Sequence, residues 1–237
     1  MIIRDSHNII VGDTSGDGGD SLNREGIASF LFGVVSPGLK ICLFEKEYPV
    51  RHPYDEPWDN YKNCSRDQLT PAICVGFKLN DKDISNRILQ TVKDHKGFAP
   101  NIERDIPGSR KYPYKHSFIN DQGLKETSAF NYADPITPEL WYLMLKGSGR
   151  NIKAALLYPI ALAWVYISIL TFCYQTKIDD DCWQLACIAD CFGLLKFFNT
   201  HHPIGLRSMA DSYYAGWRGT DKFAELWREH LDKVLFD

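Results

Sequence analysis

The stretch Asp13-Thr14-Ser15-Gly16-Asp17-Gly18-Gly19-Asp20-Ser21-Leu22-Asn23-Arg24-Glu25-Gly26 packs carboxylates, glycines and an arginine directly ahead of an apolar helical run. Glycines at 16, 18 and 19 permit a tight turn that brings amides and carboxylates close to a ligand. Farther on, Ser65-Arg66-Asp67-Gln68 repeats the combination of acid, arginine and amide at another expected helix start. Asp17, Asp20 and Asp67 are the candidate acids. Arg24, Glu25, Arg51, His52, Trp58, Arg66 and Gln68 are candidate ligands for hydroxyls or anions. Paired carboxylates beside stacking aromatics suit glycosidic cleavage, in which one carboxyl protonates the leaving oxygen and the other serves as base or nucleophile.

Two metal readings need weighing. Asp13, Ser15, Asp17 and Gly18 match the opening of an EF-hand-like calcium loop, but its twelfth position, where a bidentate acid is needed, is Arg24. Cys182, Cys187 and Cys191 lie on an apolar helical pattern with no C-x-x-C pair, which favours buried thiols over zinc. The expectation is therefore no metal and no cofactor.

Other classes are bounded by composition. With 237 residues the chain is expected to form one α-helical domain over 1–237. A net charge of -3 with no long run of one sign indicates neither a nucleic-acid groove nor a polybasic membrane patch. Seven scattered cysteines point to reduced thiols, and the N-terminal residues show no secretory signal pattern; both suggest cytoplasmic synthesis, with a virion as a further destination.

The elements that must position these residues read as helices. Asp20 or Ser21 is an N-cap, and Ile27, Phe30, Leu31 and Val34 recur on one face, giving a helix over about 21–35 that Ser36-Pro37-Gly38 stops. Arg24, one turn before Ile27, falls at the mouth of the core. Residues 40–46 read as strand or short helix. The proline-rich run 48–58, carrying Arg51, His52, Tyr54 and Trp58, excludes a regular helix and is either a binding surface or a cover for the core. Ser65 to Gln68 has the form of a capping box, with Thr70-Pro71 as a competing start. Residues 81–96 form an amphipathic helix, and 97–134 a long irregular stretch. Helices resume at Thr137-Pro138. Residues 154–176 carry no charge, which reads as a buried helix first and a membrane span second. Another apolar helix covers 182–198, a polar turn follows over 199–207, and an amphipathic helix over 221–235 closes the chain.

Several of these helices begin with polar residues compressed into one turn. The fold expected is mainly α, built of helical hairpins with long irregular loops, and if the buried helices run in one sense their starts converge on one rim. Gly18-Gly19-Asp20-Ser21 with Arg24-Glu25-Gly26, then Arg51-His52-Pro53 and Ser65-Arg66-Asp67-Gln68, resembles a poorly characterised group of phage and bacterial proteins over the first third of the chain. Polar-started helices with an Arg/Gln pair more distantly resemble the (α/α) toroid of six-hairpin glycosidases and lyases, which at this length implies a partial toroid. The first expectation for function is a non-catalytic structural or adaptor protein in a viral or multiprotein assembly, with other protein subunits as partners. The alternative is a glycan-binding or glycan-cleaving protein, a hydrolase or lyase, using the carboxylates at the rim. A membrane role ranks third.

Overall fold

The computed structural model describes residues 4–11, 18–56, 58–100, 117–119, 125–127, 135–172 and 180–201. They are mainly helical: α1 (Ser21–Phe32), α2 (Pro37–Phe44), α3 (Arg66–Lys78), α4 (Lys82–Asp94), α5 (Pro138–Gly147), α6 (Asn151–Phe172), α7 (Asp180–Cys191) and α8 (Leu195–His201). Between α4 and α5 a short antiparallel pair, β1 (Ser117–Ile119) and β2 (Lys125–Thr127), sets Phe118 opposite Glu126. The rest of 101–134, the turn beyond His201 and the helix expected over 221–235 lie outside the described residues.

Helix α1 is shorter than its apolar period suggests. Gly33 takes a left-handed φ of 67° and donates to Ser29 O, which ends the helix and leaves Val34, expected to face inward, 61% exposed. Ser36-Pro37-Gly38 proves to be a start, not a stop. Ser36 Oγ accepts from Leu39 N at 3.1 Å, Pro37 fills the first turn, and the ambiguous segment that follows is α2. Arg87 closes the far end of α2 by donating to Leu43 O at 2.8 Å and Lys46 O at 2.6 Å. The expected helix over 182–198 is two, α7 and α8, parted by Gly193 at φ 70°.

Helix α3 lies at the centre, with α1, α4, α5 and α7 packed on it. Next to it, α1 runs in the same sense: Asn23 meets Asp67 and Gln68, Gly26 meets Pro71 and Ala72, and Phe30 lies under the Lys78 ammonium at 4.0 Å. α5 runs in that sense too. Arg66 at the start of α3 reaches Pro135 O, just ahead of α5, and Gly76 near the end of α3 adjoins Gly147 at the end of α5. Three helix starts, distant in sequence, therefore share one end of the molecule.

Small residues make that packing feasible. A Cβ on Gly26 would stand 2.7 Å from Pro71 Cβ, so only glycine lets α1 approach α3 this closely. Gly76 and Gly147 both back onto Ser85 of α4, where three helices meet. The core around them draws on Phe30, Leu69, Ile73, Ile88, Leu143, Met144 and Trp183.

The buried-helix expectation for 154–176 does not hold over its described part. Within α6 only Ala154, Ala161, Val165 and Ile169 are buried, a narrow seam at spacings of seven and four. Opposite that seam the helix is apolar and exposed, with Ile152 at 81% and Leu156 at 77%. It is also long and apolar enough to cross a membrane, over Asn151–Thr171.

Candidate functional site

The site begins with the four backbone N–H groups that any helix start leaves without an intrahelical acceptor. In α1 those of Ser21, Leu22 and Asn23 are served before the first i→i−4 bond, from Arg24 N to Asp20 O at 2.9 Å. Ser21 N donates to Gly18 O at 3.2 Å and Leu22 N to Arg51 O at 3.0 Å. Asn23 N donates across to Gln68 Oε1 of α3 at 3.2 Å. Asp20 occupies the N-cap position but does not cap with its carboxylate. That side chain is free to reach sideways. Its Oδ1 accepts from Gln68 Nε2 at 3.1 Å and lies 4.0 Å from Arg51 Nη1, while Oδ2 pairs with Arg24 Nη2 at 3.4 Å.

The start of α3 departs from the expected capping box. Ser65 Oγ accepts from Arg51 Nη2 at 2.9 Å instead of capping its own helix, and Gln68 turns away to α1. The same Gln68 amide also stands 3.4 Å from Asp67 Oδ2, so one nitrogen joins the carboxylates of Asp20 and Asp67. Pro71, inside the first turns of α3, has no N–H for the carbonyl of Asp67. Asn23 Nδ2 supplies the missing donor at 2.9 Å.

For Arg51 and His52 the sequence leaves a binding surface and a cover for the core both open. The structure turns both side chains inward. Arg51 donates Nε to Asn63 O at 2.9 Å and Nη1 to Gly19 O at 2.7 Å, and its guanidinium stands 5.4 Å from the Trp58 ring centroid. It thus ties the 48–64 loop to two helix starts. His52 Nδ1 accepts from Tyr54 N at 3.3 Å, which fixes the proton on Nε2, the donor to Asp5 Oδ2 at 2.9 Å. Glu25, another candidate ligand, is fully buried. Its carboxylate accepts from Arg4 Nη1 at 2.7 Å, Ile10 N at 2.8 Å and Ser36 Oγ at 2.5 Å. Gly38 is required opposite it, because a Cβ there would overlap that carboxylate.

Of the remaining candidates, Asp20, Asp67 and Arg66 are partly exposed at the shared end, and Arg24 is buried there, not held at the mouth of the core. Trp58 is partly buried against Arg51, and Asp17 lies outside the described residues. The sequence reading missed two residues of this rim, Asn23 and Glu139. Glu139 stands in the first turn of α5 and is buried, accepting through Oε1 from Thr137 Oγ1, while Oε2 has no hydrogen-bond partner among the described residues. Burial pushes its carboxyl above the ordinary 4.5, against the opposing pull of the Thr137 bond, its own backbone amide and the Arg66 guanidinium. The signal was an acid directly after Thr-Pro at a helix start.

Three carboxylates, Asp20, Asp67 and Glu139, thus stand with Arg24, Arg51 and Arg66 where α1, α3 and α5 begin. Chemically the rim offers two partly exposed acids linked through one amide, and a third that burial biases toward its protonated form. Compared with protein-family models, curated proteins and solved structures, the chain matches none of them.

Proposed function

We propose that this protein is a non-catalytic structural or adaptor component of a viral or multiprotein assembly, joined to other subunits through the outward face of α6. The observation that carries the reading is the contrast between two surfaces. At the rim, Arg24 pairs with Asp20, Gln68 bridges both aspartates, and Arg51 donates to Gly19 O, Asn63 O and Ser65 Oγ. On α6, by contrast, Ile152, Leu156, Ile160, Ile167 and Leu170 face solvent along one helix, a larger apolar stripe than an isolated soluble protein ordinarily exposes.

Replacing Leu156, Ile160 and Ile167 together by Gln tests this. The variant should keep the helical circular dichroism and thermal midpoint of the parent and lose concentration-dependent association in light scattering. Loss of cooperative folding would show that the face packs inside the molecule and would end the reading.

A second reading keeps the glycan. Asp20 and Asp67, joined through Gln68, would supply nucleophile or base, and buried Glu139 the acid, the division of labour glycosidic cleavage needs. Hydrolysis of any member of a broad polysaccharide panel, abolished in Asp67→Asn and in Glu139→Gln, would put this reading first.

A further inference from the structure

We infer that the partner seated on α6 is a second copy of this chain, packed antiparallel about a two-fold axis at the level of Ala161. This inference rests on the assembly reading and names its partner. With Ile160 and Ile167 exposed on its flank, one line of exposed positions along the helix runs through Ile152, Leu156, Pro159, Ala163, Tyr166 and Leu170. Their spacings run four, three, four, three, four, the alternation of a two-helix seam, and read identically from either end. Their sizes follow the same symmetry: large at both ends, small at Pro159 and Ala163 in the middle. A two-fold contact demands such self-complementarity, since each surface must fit itself reversed. In that arrangement Ile152 meets the partner's Leu170, Leu156 meets the partner's Tyr166, and Pro159 meets the partner's Ala163. Small residues at the crossing let the backbones approach.

The exposed area suits such a pair. Large apolar side chains carry on the order of 150–250 Å² each. The exposed fractions of Ile152, Leu156, Ile160, Ile167 and Leu170 then amount to roughly 600 Å², so that two copies together would bury about 1,200 Å², the lower end of a specific interface. A lipid occupant fits less well. A spanning helix needs lipid or apolar neighbours on all sides, whereas the buried seam of α6 packs against α5, α7 and α8, elements that carry exposed Lys146 and His201. Tyr158 adjoins Tyr142 at 5.2 Å and Tyr166 adjoins Phe197 at 5.0 Å on those neighbours.

The test uses the full chain. Sedimentation equilibrium at micromolar concentration should give twice 27.1 kDa for the parent and 27.1 kDa for Ala163→Glu, with unchanged circular dichroism. Bismaleimide cross-linking, with the parent chain as control for native thiols, reads the orientation. A mixture of Ile152→Cys and Leu170→Cys chains should couple efficiently, and Ile152→Cys alone should not couple to itself. Self-coupling of Ile152→Cys, or a mass above two chains, would overturn the antiparallel pair while leaving α6 an association face. A parent that stays at 27.1 kDa and instead floats with phosphatidylcholine vesicles would overturn it in favour of lipid. A monomer that ignores vesicles would overturn it outright, and the triple Gln variant above would then decide the assembly reading separately.

Discussion

Asn23 Nδ2 donates at 2.9 Å to the carbonyl of Asp67, the acceptor that Pro71 leaves unserved one turn into α3. A side chain of one helix thereby completes the hydrogen bonding of another. Asn23 joins the same two helices a second time, its backbone N–H donating to Gln68 Oε1 at 3.2 Å. These two bonds from Asn23 fix the register of α1 on α3, and they do so at the end where the carboxylates gather.

Coupling between Asn23 and Pro71 follows. Asn23→Ala should cost about 1–3 kcal/mol in urea unfolding, the penalty for leaving buried polar groups unpaired. In a Pro71→Ala background the restored N–H can serve Asp67 O, so the same substitution should cost about 1 kcal/mol less. Strict additivity of the two changes would show that the bond to Asp67 is not what Asn23 contributes.

Ser85 sets a steric prediction. Its Oγ is buried without a hydrogen-bond partner among the described residues and faces the sites where Gly76 and Gly147 would carry a Cβ. Gly147→Ala should destabilise by about 1–3 kcal/mol through overpacking, and adding Ser85→Ala should recover part of that loss. Calorimetric midpoints of the single and double variants check it; no recovery would place the strain elsewhere.

Glu139 predicts a pH dependence. Its folded-state value lies above the ordinary 4.5 that it regains on unfolding. Between those values the native state holds a proton the unfolded state has released, so this contribution is complete below 4.5 and falls as pH rises through the raised value. Glu139→Gln should flatten that part of the stability profile, which lies above pH 4.5. A profile with unchanged slope would mean that the carboxyl is solvated in the native state.

The helical class and most helix starts were legible because caps, prolines and apolar period are local properties. The amphipathic α4 behind Asp81 shows this, with Asp81 Oδ1 accepting from Asp83 N and Ile84 N, both at 3.0 Å. What was hidden depended on contacts distant in sequence. Ser65 and Gln68 have the local form of a capping box, yet Arg51 and Asn23 compete for both and win. For His52 and Arg51 a proline-rich loop left binding surface and core cover undivided, because their partners Asp5 and Gly19 lie far away in the chain. For α6, an absence of charge does not distinguish a helix enclosed by neighbours from one with an open apolar side. Only the seam of Ala154, Ala161, Val165 and Ile169 separates them.

The central claim is that the acids and arginines of the rim hold the helix starts together. The most direct measurement is the unfolding free energy of Asp20→Asn. Removing this carboxylate takes from Arg24, whose side chain is 5% exposed, its ion pair with Asp20 at 3.4 Å. The account predicts a loss of about 2 kcal/mol, reduced from a fully buried pair because Asp20 itself is partly open to water. Unchanged or increased stability, the usual result when a strained functional acid is neutralised, would contradict it.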